Sequence, residues 1–464
     1  MSDGDVGRRG VMPDRADEAA ALLAIADRVV AAAKPGEDLE VVVGRSASTS
    51  IRAYEGEVES LTIADVAGIG VRVVAGGRQG FASAGSLDAD VVDDVLADAR
   101  DNLTFAEPDD HVLVARPDGV VPVELDLWRD DVVSTPTAAK VELAIELERR
   151  VRAGDPRITG VRTCGYGDRA GTSAIATTTG IRTVTSSTSA SASALALAAE
   201  GDEVRSGGGS TIDRGVSGLD LDEAAADAVS RATELLGAGQ PDSGRVTLVL
   251  EPRLAATLLG IIGGMVSGER ALKGRTPFAD RVGERIAAPL LTMICDPTDP
   301  DSYGARRFDG EGLAARRNDL IIDGELCGFL HHSQSAARAG VASTASAVRG
   351  VRSTPSVGWH ALSVRPGSGT HDELVSGVAD GIVVRSMSGL HSGVNAVSGD
   401  FSVGVEGRMI RNGELAEGVR EATVASTLLR LLADISAVGA DIEALPGGVT
   451  CPTLVIGDVA LSGR

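Results

Sequence analysis

Six histidines could hold a borderline cation or move a proton near neutral pH: His111, His331, His332, His360, His371 and His391. None is followed by Glu, so neither H-E-x-x-H nor H-E-x-x-x-H occurs, and zinc hydrolysis from a helix lacks its ligands. The densest group is Cys327 with His331 and His332. If Asp319–Leu330 runs on as one strand, Cys327 and His331 share a face but stand about 13 Å apart at ~3.3 Å per residue. One zinc with bonds of ~2.1–2.3 Å cannot join them without a bend. A pair of satisfied histidines at a strand end is the plainer reading. His371-Asp372-Glu373 follows Thr370, so its acids read as charges at a helix N-terminus.

Nucleophilic chemistry finds little support. No G-x-S-x-G elbow occurs, and Ser388-Gly389-Leu390-His391-Ser392-Gly393 reads as a glycine-rich turn with a histidine beside two serines. Lys34, Lys140 and Lys273 are the only lysines, and none stands in an S-x-x-K or G-K-[ST] context. Gly68, Gly70, Gly76, Gly77 and Gly80 resemble a phosphate loop, but Val73 occupies the third glycine position of G-x-G-x-x-G, and a hairpin explains them. The segment Gly393–Ser402 is more informative. Asn395, Ser398, Gly399 and Asp400 are turn formers that feed a strand starting at Phe401 and Ser402 and carrying Gly404 and Gly407. Glycine inside a strand lets another backbone come close. The loop is thus either a plain β-turn or a surface that meets a partner or a peptide.

The elements that must position these residues follow from composition and periodicity. The 464 residues hold 66 acidic and 44 basic side chains, a formal charge of −22, with aromatics at 2%. All but three of the basic residues are arginine, scattered singly or in pairs, which argues against duplex nucleic acid and against an anionic membrane. Base-stacking platforms lack their rings. The longest uncharged apolar window, Leu254–Gly268, is 15 residues, short of the ~20 needed to span a bilayer. Four distant cysteines without C-x-x-C, and no signal peptide, predict a reduced cytoplasmic protein.

Residues 1–15 read as a disordered tail. From Ala16 a helix is expected up to Pro35-Gly36, followed by strands at Leu39–Gly44, Thr49–Tyr54, Glu57–Ile63, Gly68–Val74 and Arg78–Ala84 and a helix over Asp88–Leu103. A second helix, strand runs within 158–211 and a helix over Asp220–Leu236 repeat that order, giving copies 16–103 and 137–236 inside an N-terminal domain ending near 240. The Ser/Thr/Ala stretch 183–198 alternates at period two and reads as a hairpin rather than a linker. Beyond Gly237–Gly244, residues 241–464 read as a mostly antiparallel β domain with few helices, the longest over Glu421–Val438. The fold class is α+β.

Several blocks, in order, resemble the TldD/PmbA family: Ser48–Ile51, Gly56–Glu59, Gly68–Val73, Gly77–Ser83, Ala97–Asn102, Gly393–Ser402, Asn412–Leu415 and Val438–Asp441. The resemblance covers roughly residues 38–464. It implies a cytosolic two-subunit zinc peptidase that degrades unfolded peptides or trims leader peptides. In such a pair the TldD-like subunit carries H-E-x-x-x-H on a helix and a cysteine near its end, and the PmbA-like subunit lacks them. Here the zinc window falls on Leu259-Gly260-Ile261-Ile262-Gly263-Gly264, with no His, Asp, Glu or Cys between Leu254 and Val266. Leu445–Thr450 leads straight to Cys451, which reads as a buried hydrophobe. The resemblance therefore implies the PmbA-like side: no catalytic residue and no cofactor in this chain, a TldD-like partner holding zinc, and a peptide bound extended. The alternatives are a self-sufficient hydrolase built around His331, His332 or His391, and a protein-binding regulator of DNA gyrase, a name that attaches to the same family.

Overall fold

The computed structural model describes residues 14–445 and 447–464. The tail expected over 1–15 lies outside them except for its last two residues. Asp14 caps helix α1 (Arg15–Ala31), its carboxylate accepting from the Ala16 amide at 2.8 Å. The chain continues as β1 (Asp38–Tyr54), β2 (Glu57–Ala75), β3 (Arg78–Ala84), α2 (Ala89–Phe105), α3 (Asp131–Ser134), α4 (Thr137–Ala153), β4 (Ile158–Thr177), β5 (Arg182–Glu200), β6 (Glu203–Asp213) and α5 (Leu221–Thr233). The short runs read separately from the sequence fuse here into strands of 17 to 20 residues. The Ser, Ala, Gly and Thr residues between the apolar runs keep period two, and long strands on both sides hold them extended.

These strands form one sheet in the order β3-β2-β1-β4-β5-β6, antiparallel at every contact. Helices cover one face. Leu39, Val41, Val43, Ile69, Val71 and Val73 are buried with α1 and α2, while Ala192, Ala194, Ala196 and Ala198 of β5 are buried with α4 and α5. Alanine suffices there because the helices lie close to the sheet. Ser187, Ser189, Ser191 and Ser193 alternate with those alanines and are exposed on the other face.

The second half begins with β7 (Gly244–Leu250), α6 (Pro252–Met265) and α7 (Gly268–Leu272). Then come β8 (Met293–Cys295), β9 (Asn318–Ile322), β10 (Glu325–Leu326), α8 (Ser333–Ala339), β11 (Ala347–Val348), β12 (Ser356–Val357) and β13 (Leu362–Val364). The chain closes with α9 (His371–Ser376), β14 (Asp380–Ser388), α10 (Leu390–Gly393), β15 (Asp400–Arg411), β16 (Glu414–Thr427), α11 (Leu428–Ala433), β17 (Ile435–Val438), β18 (Glu443–Ala444), β19 (Val449–Cys451) and β20 (Leu454–Ser462). Strands β16-β15-β14-β7-β20-β17 form one sheet, and an added β16–β20 pairing closes five of them into a barrel. Leu258 of α6 meets Leu248, Val384, Phe401, Val424 and Ile456 around a small apolar void in that core.

Three expectations need correction. The hairpin read over 183–198 is one continuous strand, β5, whose middle is held extended by pairing with β4. The helix read over Glu421–Val438 is mostly strand: β16 runs to Thr427, α11 takes only Leu428–Ala433, and β17 follows. Thr423, Val424 and Ala425 pair with both β15 and β20, and this tertiary pairing overrides the apolar spacing that suggested a helix. The strand read over Asp319–Leu330 turns at Asp323-Gly324, both with positive φ (48° and 84°), into the hairpin β9–β10. The straight-line separation of Cys327 from His331 therefore does not apply.

The two halves meet where the β11–β12 hairpin reaches the bare face of β1 and β2. Its loop lays Val351 over Gly44, Gly68 and Gly70. A Cβ on Gly70 would stand 2.2 Å from the Val351 carbonyl oxygen. This close approach accounts for glycines that otherwise weaken a strand. Gly70→Val should push the loop off the sheet and cost about 1–3 kcal/mol, measured by urea unfolding. An unchanged midpoint would show that the loop does not rest there.

Candidate functional site

Beneath that loop lies a buried cluster of charges. In an apolar alternation, Glu40 of β1 and Arg72 of β2 are directly opposite partners on the face turned toward the second half. Arg72 donates to both Glu40 oxygens at 3.1–3.2 Å, to the Leu113 carbonyl at 3.0 Å and to Gln79 Oε1 at 3.1 Å. Arg349, on the hairpin loop, completes the group by donating from Nη1 to Glu40 Oε1. Both side chains of that pair are 2% exposed or less. Burial works to raise the Glu40 pKa, but Arg72 and Arg349 hold it below the ordinary value.

Asp309 and Glu311 extend the cluster and set the hairpin in place. Asp309 accepts from the amides of Glu311, Leu313 and Ala347 at 2.9–3.0 Å, and so fixes the start of β11. Glu311 accepts the Ser333 amide and hydroxyl at 2.9 and 2.7 Å, while its Oε1 and the Nε and Nη2 of Arg349 are buried without a partner. Burial, reinforced by the charges of Asp309 and Glu40, pushes Glu311 well above the usual carboxylate range. Burial likewise raises Asp309.

His331 and His332 adjoin this cluster. Both direct Nδ1 at Ser335 Oγ, at 3.1 and 2.9 Å. The His331 ring sits where a Cβ on Gly268 would be, 2.0 Å from its Cε1, so only glycine fits at the start of α7. Burial lowers both histidines, His332 to about 4. They are thus neutral, enclosed and bonded to a serine. Cys327 is exposed directly after β10, and His391 is exposed on α10. Among the described residues, no three His, Cys, Asp or Glu side chains converge as a metal site.

The loop before β15 is held by its own atoms. Asn395 Oδ1 accepts from the amides of Val397 and Ser398, its carbonyl accepts from Gly399, and its amide donates to the Asp400 carbonyl at 2.9 Å. Ser398 Oγ donates to Asp400 Oδ2 at 2.6 Å. Gly399 and Phe401 are buried, whereas Asn395, Ser398, Asp400 and Ser402 face outward. The outward residues are available to another chain; Phe401 belongs to the core.

Helix α6 occupies the position where the sequence resemblance places zinc ligands. Leu258, Leu259, Ile262 and Met265 are buried, and Gly263 lies under Trp359 and Leu362. Hydrocarbon lines this stretch, so the residues present do not fit a zinc ion. Cys451 is fully buried with its thiol against the Pro452 carbonyl, and burial raises it well above an ordinary thiol.

Sequence reasoning passed over Glu40, Arg72, Asp309, Glu311 and Arg349. Glu40 and Arg72 do leave a trace, as single charges inside the apolar runs Leu39–Val43 and Ile69–Val74. The other three come from irregular segments, where no period marks burial.

The cluster makes stability depend on pH with a definite sign. An unfolded Glu311 loses its proton near 4.5, while the folded one keeps it to higher pH, so the native state binds more protons in between. Glu311 thus subtracts stability as pH rises from 4.5 toward neutrality. Glu311→Gln should flatten that part of a urea-unfolding pH profile by on the order of 1–3 kcal/mol. An unchanged slope would mean that Glu311 ionises freely in the fold.

Three models of PmbA/TldA metallopeptidase domains match the chain: domain 1 over residues 39–103, the central domain over 130–236 and the C-terminal domain over 243–463. The metalloprotease PmbA of Escherichia coli is 26% identical over 444 residues, covering 95% of this chain and 96% of its own length. A metalloprotease of Methanothermobacter thermautotrophicus is 25% identical, covering 90% of each. Among solved structures, a candidate modulator of DNA gyrase from Bacteroides thetaiotaomicron superposes with a TM-score of 0.86 at 25% identity, covering 97% of this chain and 99% of that one. TldE of Thermococcus kodakarensis shares the fold, with a TM-score of 0.84 at 22% identity over 96% and 99% of the two chains. With its sheets, hairpin contact and barrel all within that match, this chain belongs to the TldD/PmbA metallopeptidase family.

Proposed function

We propose that this chain is the subunit of a TldD/PmbA-type peptidase that does not carry the metal. The observation that carries this reading is α6: where the family resemblance places zinc ligands, the helix offers only Leu, Ile, Gly and Met side chains packed into a core. A hydrocarbon helix can hold a wall in place but cannot polarise a carbonyl or lower the pKa of a water. A TldD-like partner would supply the zinc, and this chain would close the space around the peptide with it.

The exposed sheet face bearing Ser187, Ser189, Ser191 and Ser193 suits that role. Its short hydroxyl side chains, with Gly167, Arg169 and Gly171 of β4 beside them, favour contacts with extended backbone over selection of particular side chains. Four cysteines without a disulfide suit a reducing cytoplasm. Among the described residues no helix is long and apolar enough to cross a membrane.

The reading is tested by incubating the purified chain with an unfolded peptide, alone and with a TldD-like subunit from the same cell. Cleavage should appear only with both present, and Leu259→Ala in this chain should not abolish it. Cleavage by this chain alone would overturn the assignment.

A further inference from the structure

The turn of the β1–β2 hairpin is held by α4, whose Glu148 accepts from the Glu55 and Gly56 amides at 2.9 Å, but the outer side of β2 is open. On its outer side, β2 is covered by β3 only from Ile69 to Ala75. From Glu57 to Ala67 the strand pairs with β1 alone, and among the described residues no backbone group bonds to its outer edge. Val58, Leu61, Ile63 and Val66 along this stretch are each 40–52% exposed. Leu61 and Ile63 lie opposite Ile51 and Thr49, both buried, so a strip of apolar sheet reaches an open edge.

The other half of the same sheet shows what such an edge accepts. There β6 covers β5 only from Ala190 to Glu200, leaving the N-terminal stretch of β5 in the same relation as Glu57–Ala67 of β2. That stretch is met by the chain itself: Thr188 donates its amide to the Leu127 carbonyl at 3.0 Å, and the Arg129 amide donates to Thr188 Oγ1 at 2.9 Å. Among the described residues no such segment reaches the outer edge of β2 between Glu57 and Ala67. Its charges narrow the choice of occupant. Of Glu55, Glu57, Glu59 and Asp65, Glu59 is paired to Arg52 and Asp65 to Arg45, while Arg149 and Arg152 beside Glu55 are engaged by Glu146 and Glu148. A second copy of a chain carrying −22 would be repelled there, whereas a cationic strand would be attracted.

We propose that the outer edge of β2, from Glu57 to Ala67, takes up an extended peptide carrying basic side chains as a seventh strand in line with β3. Its backbone would satisfy the open amides and carbonyls, its apolar side chains would cover Leu61 and Ile63, and its cations would meet the acids. This deepens the peptide-handling part of the proposed function and rests on that part alone.

The test uses the full chain without a catalytic partner, so that cleavage or zinc found in this chain would not bear on the result. The probe is an alternating Lys-Val peptide of about ten residues, read by fluorescence anisotropy at low salt and by hydrogen exchange. Binding should slow exchange at amides within 57–67. It should weaken at least about tenfold for a Glu-Val peptide, for a Lys-Val peptide N-methylated at every second residue, and for the double variant Leu61→Lys, Ile63→Lys. Both substituted positions are half exposed, and retained β-sheet circular dichroism would confirm the variant's fold. Absent binding, protection confined to other segments, or equal affinity for the N-methylated peptide would overturn the proposal. So would protection of 57–67 in the free chain that disappears on dilution, which would assign the edge to a second copy.

Discussion

The contact that the rest depends on is the placement of Arg349 against Glu40 beneath a loop that rests on glycine. Glu40 and Arg72 face each other across β1 and β2, and a carboxylate that deep in the protein needs compensation from more than one direction. Arg349 supplies it from the other half of the chain. Gly70 lets the backbone carrying Arg349 come close enough, and Asp309 fixes the start of the hairpin through the Ala347 amide. Removing one member leaves a buried charge short of a partner, so the cluster sets the relative position of sheet and barrel more than it adds net stability. Other cross-links follow that placement: the Tyr303 hydroxyl donates to the Ile212 carbonyl, Arg214 to the Ser302 carbonyl, and Arg385 bridges Glu234 and Glu251.

This arrangement shapes what the molecule can do. One of its deepest buried charge clusters, Glu40 with Arg72 and Arg349, joins the halves. The histidines nearest the cluster are neutral, enclosed and bonded to Ser335, and α6 is fully committed to packing. Open surfaces of backbone and small polar groups include the serine face of β5, the outer edge of β2 and the outward residues of the Asn395–Ser402 turn. Surfaces of that kind suit the extended peptide of the proposed function.

Much of the architecture was legible in the sequence because period two is a local signal. The alternation of Ser with Ala through 183–198 marked extended chain even though its composition looked like a linker, but the hairpin expected there is the single strand β5, because β4 pairs with it without a break across 182–198. The helix expected over Glu421–Val438 failed for the opposite reason. Thr423–Thr427 is held as a strand by distant partners, β15 along its whole length and β20 at Thr423, Val424 and Ala425, which no local period records. Asp309, Glu311 and Arg349 were illegible on the same grounds: they lie in irregular segments and acquire a role only when the second half folds back onto β1 and β2. The glycines of β2 were visible, but their purpose was not, since Val351 stands more than 280 positions away.

The central claim concerns where the metal sits, and zinc stoichiometry in the assembled peptidase addresses it directly. The complex of this chain with its TldD-like partner would be purified from the native cell, its mass measured and its zinc counted by elemental analysis, then compared with this chain alone. The account predicts one zinc for each pair of unlike chains and none retained by this chain after separation. One zinc bound per copy of this chain alone would contradict it.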